Sequence, residues 1–170
     1  MKPELLPSVA KDQLNLVLSF FPRVDAKSSV VFAVNTAMVG YLASRFPPSF
    51  SIPWWLFISP IIAFALLGTS FICLYKGAFP ILTGGNDSLV YFQEIAKKTE
   101  AKFIQEFSSL SESDYSSELL GQAWRNSQIL ATKFKYLKRA FIFLALAVIP
   151  WTIALIEFAT VSGAAQLKTP

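Results

Sequence analysis

AFIFLALAVIPWTIALI, residues 140–156, carries no charge over 17 residues and follows directly on the basic KYLKR of 135–139. At 1.5 Å rise per residue a helix of that length reaches about 26 Å, close to a hydrocarbon thickness of about 30 Å. In lipid a helix satisfies its own backbone N–H and C=O groups, so the run reads as a membrane span. Two other uncharged runs, Ser28–Ser44 and Ser49–Tyr75, have the same character. The longer would extend about 40 Å as a helix, so it must tilt, bend or begin in the interface. Pro60 is expected to bend it by removing an internal hydrogen bond, as Pro150 is in the last span.

Composition agrees. Apolar residues make up 54% of the 170, charged residues only 15%, and mean hydropathy is +0.48. That is too apolar for a disordered chain and unusual for a soluble domain. The single cysteine, Cys73, lies inside the second run, so no intrachain disulfide or cysteine-based metal site forms. Histidine is absent, which removes the commonest general base and the commonest zinc ligand. Glu94, Glu100 and Asp114 recur without a nucleophile and base beside them, so no enzyme, catalytic residue, metal site or cofactor is expected. The net charge of +4 comes from residues flanking the uncharged runs, which points to anionic lipid headgroups and not to nucleic acid.

Of the 15 Lys and Arg, 13 lie either before Ser28 or between Lys76 and Arg139; only Arg45 and Lys168 lie elsewhere. The positive-inside rule then places the N-terminus and the central segment in the cytoplasm. The link around Pro47 and Pro48 and the C-terminus would face the periplasm. Phe50, Trp54 and Trp55 would form the outer aromatic belt, and Tyr75 the inner one. The expected fold is an all-α, multi-pass membrane protein. Its parts are an N-terminal amphipathic helix at 1–24, transmembrane helices at 25–46, 52–76 and 139–162, and a cytoplasmic helical hairpin at 86–138 continuous with the last span. The first span would itself direct insertion, without a cleaved signal.

Within the hairpin, Asp87 is expected to cap a first helix whose apolar positions run from Leu89 through Phe92, Phe103 and Phe107 to Leu110. Gly84 and Gly85 mark the turn before it. A second helix from about Asp114 carries Leu120, Ala123, Trp124, Leu130 and Phe134 on one stripe, and no breaker separates it from the last span. Ser8–Phe21 reads as a short helix lying on the inner interface or against the hairpin, ended by Pro22. Ile129 and Tyr136 fall opposite the stripe, which suggests a second buried face in a homo-oligomer.

Few residues stand out for function. Asp25 is placed to cap the first span with Lys27 beside it at the inner surface; the pair serves either that end or ligand binding. Asn35 falls near mid-membrane, where an unpaired amide is costly, so an interhelical hydrogen bond is favoured over a pore-lining role. Glu157 is expected near the outer interface. Gln122, Asn126 and Lys133 share one helix edge within roughly 40°, with Arg125 on a different side. They form either a solvated face or an amide pair and a cation able to read a base and a phosphate.

The blocks DAKSSVVFAVNTAMVGYLA at 25–43, LVYFQEIAKKTEAKFIQEF at 89–107 and DYSSELLGQAWRNSQILATKFKYLKRA at 114–140 resemble the transmembrane effector proteins of Pycsar, bacterial antiphage systems that signal with cyclic pyrimidine nucleotides. The resemblance spans almost the entire chain. It implies an inner-membrane effector that stays inactive until a pyrimidine cyclase makes cyclic UMP or, less often, cyclic CMP. The effector then impairs membrane integrity and stops growth before phage are released. Tyr91 joins Asp25, Lys27, Gln122, Asn126 and Lys133 as a candidate contact to that ligand. A constitutive membrane scaffold or accessory subunit, whose hairpin binds another protein, is the competing class.

Overall fold

The computed structural model describes residues 7–46, 53–79, 85 and 87–166, with side chains up to Val161. The expectations on Pro47, Pro48, Phe50, Gly84 and Lys168 fall outside these residues. All regular structure among them is helical: α1 (Pro7–Leu18), α2 (Phe21–Ser44), a 3-10 turn (Trp54–Phe57), α3 (Ile58–Ala78), α4 (Phe92–Ile95), α5 (Glu100–Ser108) and α6 (Glu112–Gln166). Two stretches are long and apolar enough to cross a membrane, Trp54–Ala78 and Glu112–Val161. The uncharged run within α2 is diluted by Ser28, Ser29 and Asn35, and this helix is not among them.

The chain divides into two compact units, residues 1–24 with 80–133 and residues 25–79 with 134–170. The 55-residue α6 contributes its first part to one and its second to the other. Its continuity has a simple cause: between Glu112 and Gln166 the only proline is Pro150, and the helix accommodates it without ending.

The first unit is held by Ala10 and Leu14 of α1 against Leu119 and Ala123 of α6, with Val17, Val90, Tyr115 and Leu120 around them. The N-terminal helix thus packs on α6. It ends at Leu18, where Ser19 turns its hydroxyl back to the Leu16 carbonyl. Pro22 does not terminate it. Phe21 and Pro22 open α2, because proline lacks only an N–H that a first helical turn leaves unpaired in any case. Asp25 consequently lies inside α2 and not at the residue before its start.

The first hairpin arm is also not one helix. Asp87 adopts a left-handed conformation (φ 57°), which aspartate tolerates but a helix cap does not use. Ser88 instead closes the turn before α4, whose N-cap is Tyr91 without a side-chain cap: its Oγ accepts from the N–H groups of Val90 and Tyr91, both at 3.2 Å. Thr99 then caps α5 through Lys102 N–H, breaking the expected helix between Ile95 and Glu100. A local side-chain acceptor outcompetes apolar periodicity at both places. In the first-unit part of α6 the buried apolar positions are Leu119 and Ala123, whereas Trp124 is 65% exposed. Ile129 and Tyr136 are half-buried.

In the second unit α2, α3 and the rest of α6 pack together around Leu42, Ala63, Ala154 and Phe158, flanked by Phe64, Trp151 and Leu155. The two alanines are fully buried, and small residues of this kind let helices approach closely. Pro60 falls in the first turn of α3, directly after the 3-10 turn, so it costs no internal hydrogen bond.

Candidate functional site

Side-chain hydrogen bonds tie the elements of each unit together. In the second unit the set that joins three helices is uncharged and fully buried. Asn35 Nδ2 donates to Ser70 Oγ at 2.7 Å, and Ser70 Oγ donates to the Ala140 carbonyl at 2.8 Å, joining α2, α3 and α6. Asn35 therefore makes the interhelical bond its position requires. Its Oδ1 remains without a hydrogen-bond partner among the described residues. Trp151 Nε1 donates to the Met38 carbonyl at 2.9 Å, adding a second tie between α6 and α2. Glu157 is half-buried and accepts from the Ser59 hydroxyl.

In the first unit the set is charged. Ser88, itself 2% exposed, donates to Glu118 Oε2 at 2.6 Å, fastening the segment before α4 to α6. Lys98, its side chain only 7% exposed, donates to Glu106 Oε2 at 2.7 Å and to Asp87 Oδ1 at 3.3 Å. The Glu106 carboxylate, helped by Asp87, raises the Lys98 pKa above its ordinary value. Lys97 donates to Glu94 at 2.6 Å, and that hydrogen bond lowers the Glu94 pKa.

The six sequence-proposed ligand residues fall in both units. Asp25 and Lys27 lie in the second, both exposed on α2; Tyr91, Gln122, Asn126 and Lys133 lie in the first. Tyr91 is buried, and its hydroxyl donates to Gln93 Oε1 at 2.9 Å, so its phenol is already engaged. Gln122, Asn126 and Lys133 keep their shared edge on α6. Gln122 is buried and accepts from Arg125 Nε at 3.4 Å. Lys133 places its ammonium 5.6 Å from the centre of the Phe21 ring.

Arg125 was missed by reasoning from one helix. Its side chain reaches back to Gln122 and lies against Gly85, where a Cβ would come 2.5 Å from Nη1 and 2.8 Å from Cζ. Only glycine permits that approach. The Gly84–Gly85 pair signalled a turn, but nothing in the sequence said which side chain would occupy the space beside it. The edge from Glu118 to Lys133 thus carries a carboxylate, two amides and two cations, with one glycine backbone against the guanidinium. Hydrogen-bond donors and positive charge of this kind suit a phosphate and a base edge.

Described residues that are helical in all their regular structure, with two helices long and apolar enough to cross a bilayer, are compatible with the class of helical membrane proteins. A family model described as the Pycsar effector protein domain matches residues 9–158. The chain belongs to this family, which gives it the role of an effector in antiphage defence and implies a cyclic nucleotide signal and membrane association. The comparisons found no matching curated protein and no matching solved structure.

Proposed function

We propose that this effector senses a cyclic pyrimidine nucleotide, cyclic UMP in preference to cyclic CMP, and responds by impairing inner-membrane integrity, so that the infected cell stops growing before phage are released. The observation that carries the reading is α6, unbroken from Glu112 to Gln166, with one part in the charged unit and the other in the apolar one. In this reading α2, α3 and α6 all span the bilayer. The charged unit faces the cytoplasm and the C-terminus the periplasm, as the distribution of Lys and Arg favours. Although α2 is less hydrophobic than the other two, its one mid-span amide is bonded within the helix group, which lowers the cost of placing it there.

The nucleotide binds the α6 edge in the first unit. Asn126 and Gln122 supply amide groups for the base, while Lys133 and Arg125 supply charge for the single phosphate. The protein acts as a homo-oligomer, which covers apolar side chains that stay exposed in one copy. Several sites per oligomer also share the work of switching: moving a population from about 1:99 to 99:1 takes roughly 5.5 kcal/mol of differential binding.

Full-length protein reconstituted in dye-loaded liposomes tests this. Leakage with cyclic UMP and not with cyclic AMP is expected, and Lys133→Glu should abolish it while leaving insertion intact. Absence of nucleotide-dependent leakage in any lipid would instead support a constitutive scaffold. Normal leakage from an inserted Lys133→Glu variant would remove that lysine from the site.

A further inference from the structure

A groove of about 440 Å³ runs between α2 and α6 in the second unit. Its floor is Val31 and Leu137, both buried, and its rim is formed by Val30 and Phe141, both exposed. Lys27 and Lys138 also line it, and both are exposed. On α2 the lining residues recur at i, i+3 and i+4, and on α6, from Phe134, at i, i+3, i+4 and i+7, so each helix presents one continuous face. Neither lysine has an ion-pair partner among the described residues.

Lys27 immediately precedes the uncharged run of α2, and Lys138 stands one residue before the basic boundary of the last run. Helical side chains lean toward the N-terminus of their helix, so Lys138 leans away from the uncharged run and toward the charged end of α6. The two ammonium groups therefore stand where hydrocarbon would give way to headgroups, above an apolar trough that continues into the hydrocarbon. A free phosphate or a nucleotide would use the lysines but gain nothing from the valine, leucine and phenylalanine walls. A phospholipid uses both. The volume of the groove also falls within the roughly 300–1,000 Å³ typical of ligand pockets.

We propose that this groove is a binding site for an anionic phospholipid, its phosphate between Lys27 and Lys138 and an acyl chain along Val31 and Leu137. The inference rests on α2 and α6 lying in the membrane, as in the reading above, but is independent of what the α6 edge binds. Occupancy would tie α2 to α6 at the inner surface and make the effector sensitive to the charge of the leaflet around it.

The test is spin-label electron paramagnetic resonance on full-length protein reconstituted in phosphatidylcholine vesicles. Spin-labelled phosphatidylglycerol or phosphatidylcholine is added, and the motionally restricted fraction is compared. A preference for phosphatidylglycerol is expected, of up to about fivefold for each lysine. Lys27→Gln with Lys138→Gln should abolish it, whereas Lys135→Gln, an exposed lysine outside the groove, should leave it intact. Equal restriction of the two lipids, or a preference that survives the double substitution, overturns the proposal. So does displacement of the labelled phosphatidylglycerol by cyclic UMP, which would make the lysines a nucleotide site. Aqueous labelling of a cysteine introduced at Val34 first checks insertion: a labelled α2 sinks the membrane reading as well, whereas an unlabelled α2 without lipid preference sinks only this inference.

Discussion

The two parts of α6 solve the same problem, satisfying polar groups beside packed apolar ones, with different chemistry. Up to Lys133 its neighbours are fastened by charge: Glu118 to Ser88, with the Lys98–Glu106 pair nearby in sequence and in the same unit. Beyond Phe134 the ties are largely neutral, through Ser70 to the Ala140 carbonyl and from Trp151 to the Met38 carbonyl. Charge is tolerable where water can share it, and amides, hydroxyls and carbonyls serve where it cannot. In the proposed reading, one helix thus records a change of solvent along its length.

If that is right, equal changes should have unequal costs. Leu119→Ala in the first unit should destabilise that unit by about 2–5 kcal/mol, because its leucine leaves water on folding and a cavity remains. Leu42→Ala in the second unit should cost less, since lipid is as apolar as the leucine and only packing is lost. Hydrogen exchange of each unit in detergent measures both, and equal costs would break the comparison.

Ser70→Ala should be next in size, about 1–2 kcal/mol, since it takes the partner from a buried amide whose Oδ1 is already unpaired. Thermal unfolding in detergent reads it, and Asn35→Leu combined with Ser70→Ala should recover part of the loss. Ser88→Ala, which frees two N–H groups and Glu118, is expected to cost about 1 kcal/mol and to speed exchange at Val90 and Tyr91.

The smallest effects are those of pH, and they belong to the first unit alone. Glu94 has a lowered pKa, so the support it gives is full above the ordinary carboxylate value and is lost as pH falls through its own. Lys98 has a raised pKa, so its support is present below the ordinary lysine value and disappears as pH rises through its own. Circular dichroism and exchange of the first unit should show softening at both extremes. Glu106→Gln should remove most of the alkaline part.

The sequence made some of this plain and hid the rest for identifiable reasons. Uncharged runs and the missing breaker between Asp114 and Ala140 announced α6, and the depth of Asn35 announced its bond. Local capping was harder. Ser88 holds a turn where a helix was expected to begin and Thr99 divides the first hairpin arm, because hydroxyl acceptors favour local turns and caps that periodicity does not weigh. Pro22 and Pro60 read as a stop and a kink, yet both sit in first turns, which only the observed start of each helix reveals. Arg125 against Gly85 depends on a contact across 40 residues, beyond any single-helix projection.

The account turns on which side of the membrane the charged unit occupies. With Cys73→Ser removing the native thiol, Ser117→Cys on α6 can be probed by an impermeant maleimide on spheroplasts before and after lysis. Labelling only after lysis is expected. Labelling of intact spheroplasts would put the charged unit in the periplasm, out of reach of a cytoplasmic nucleotide.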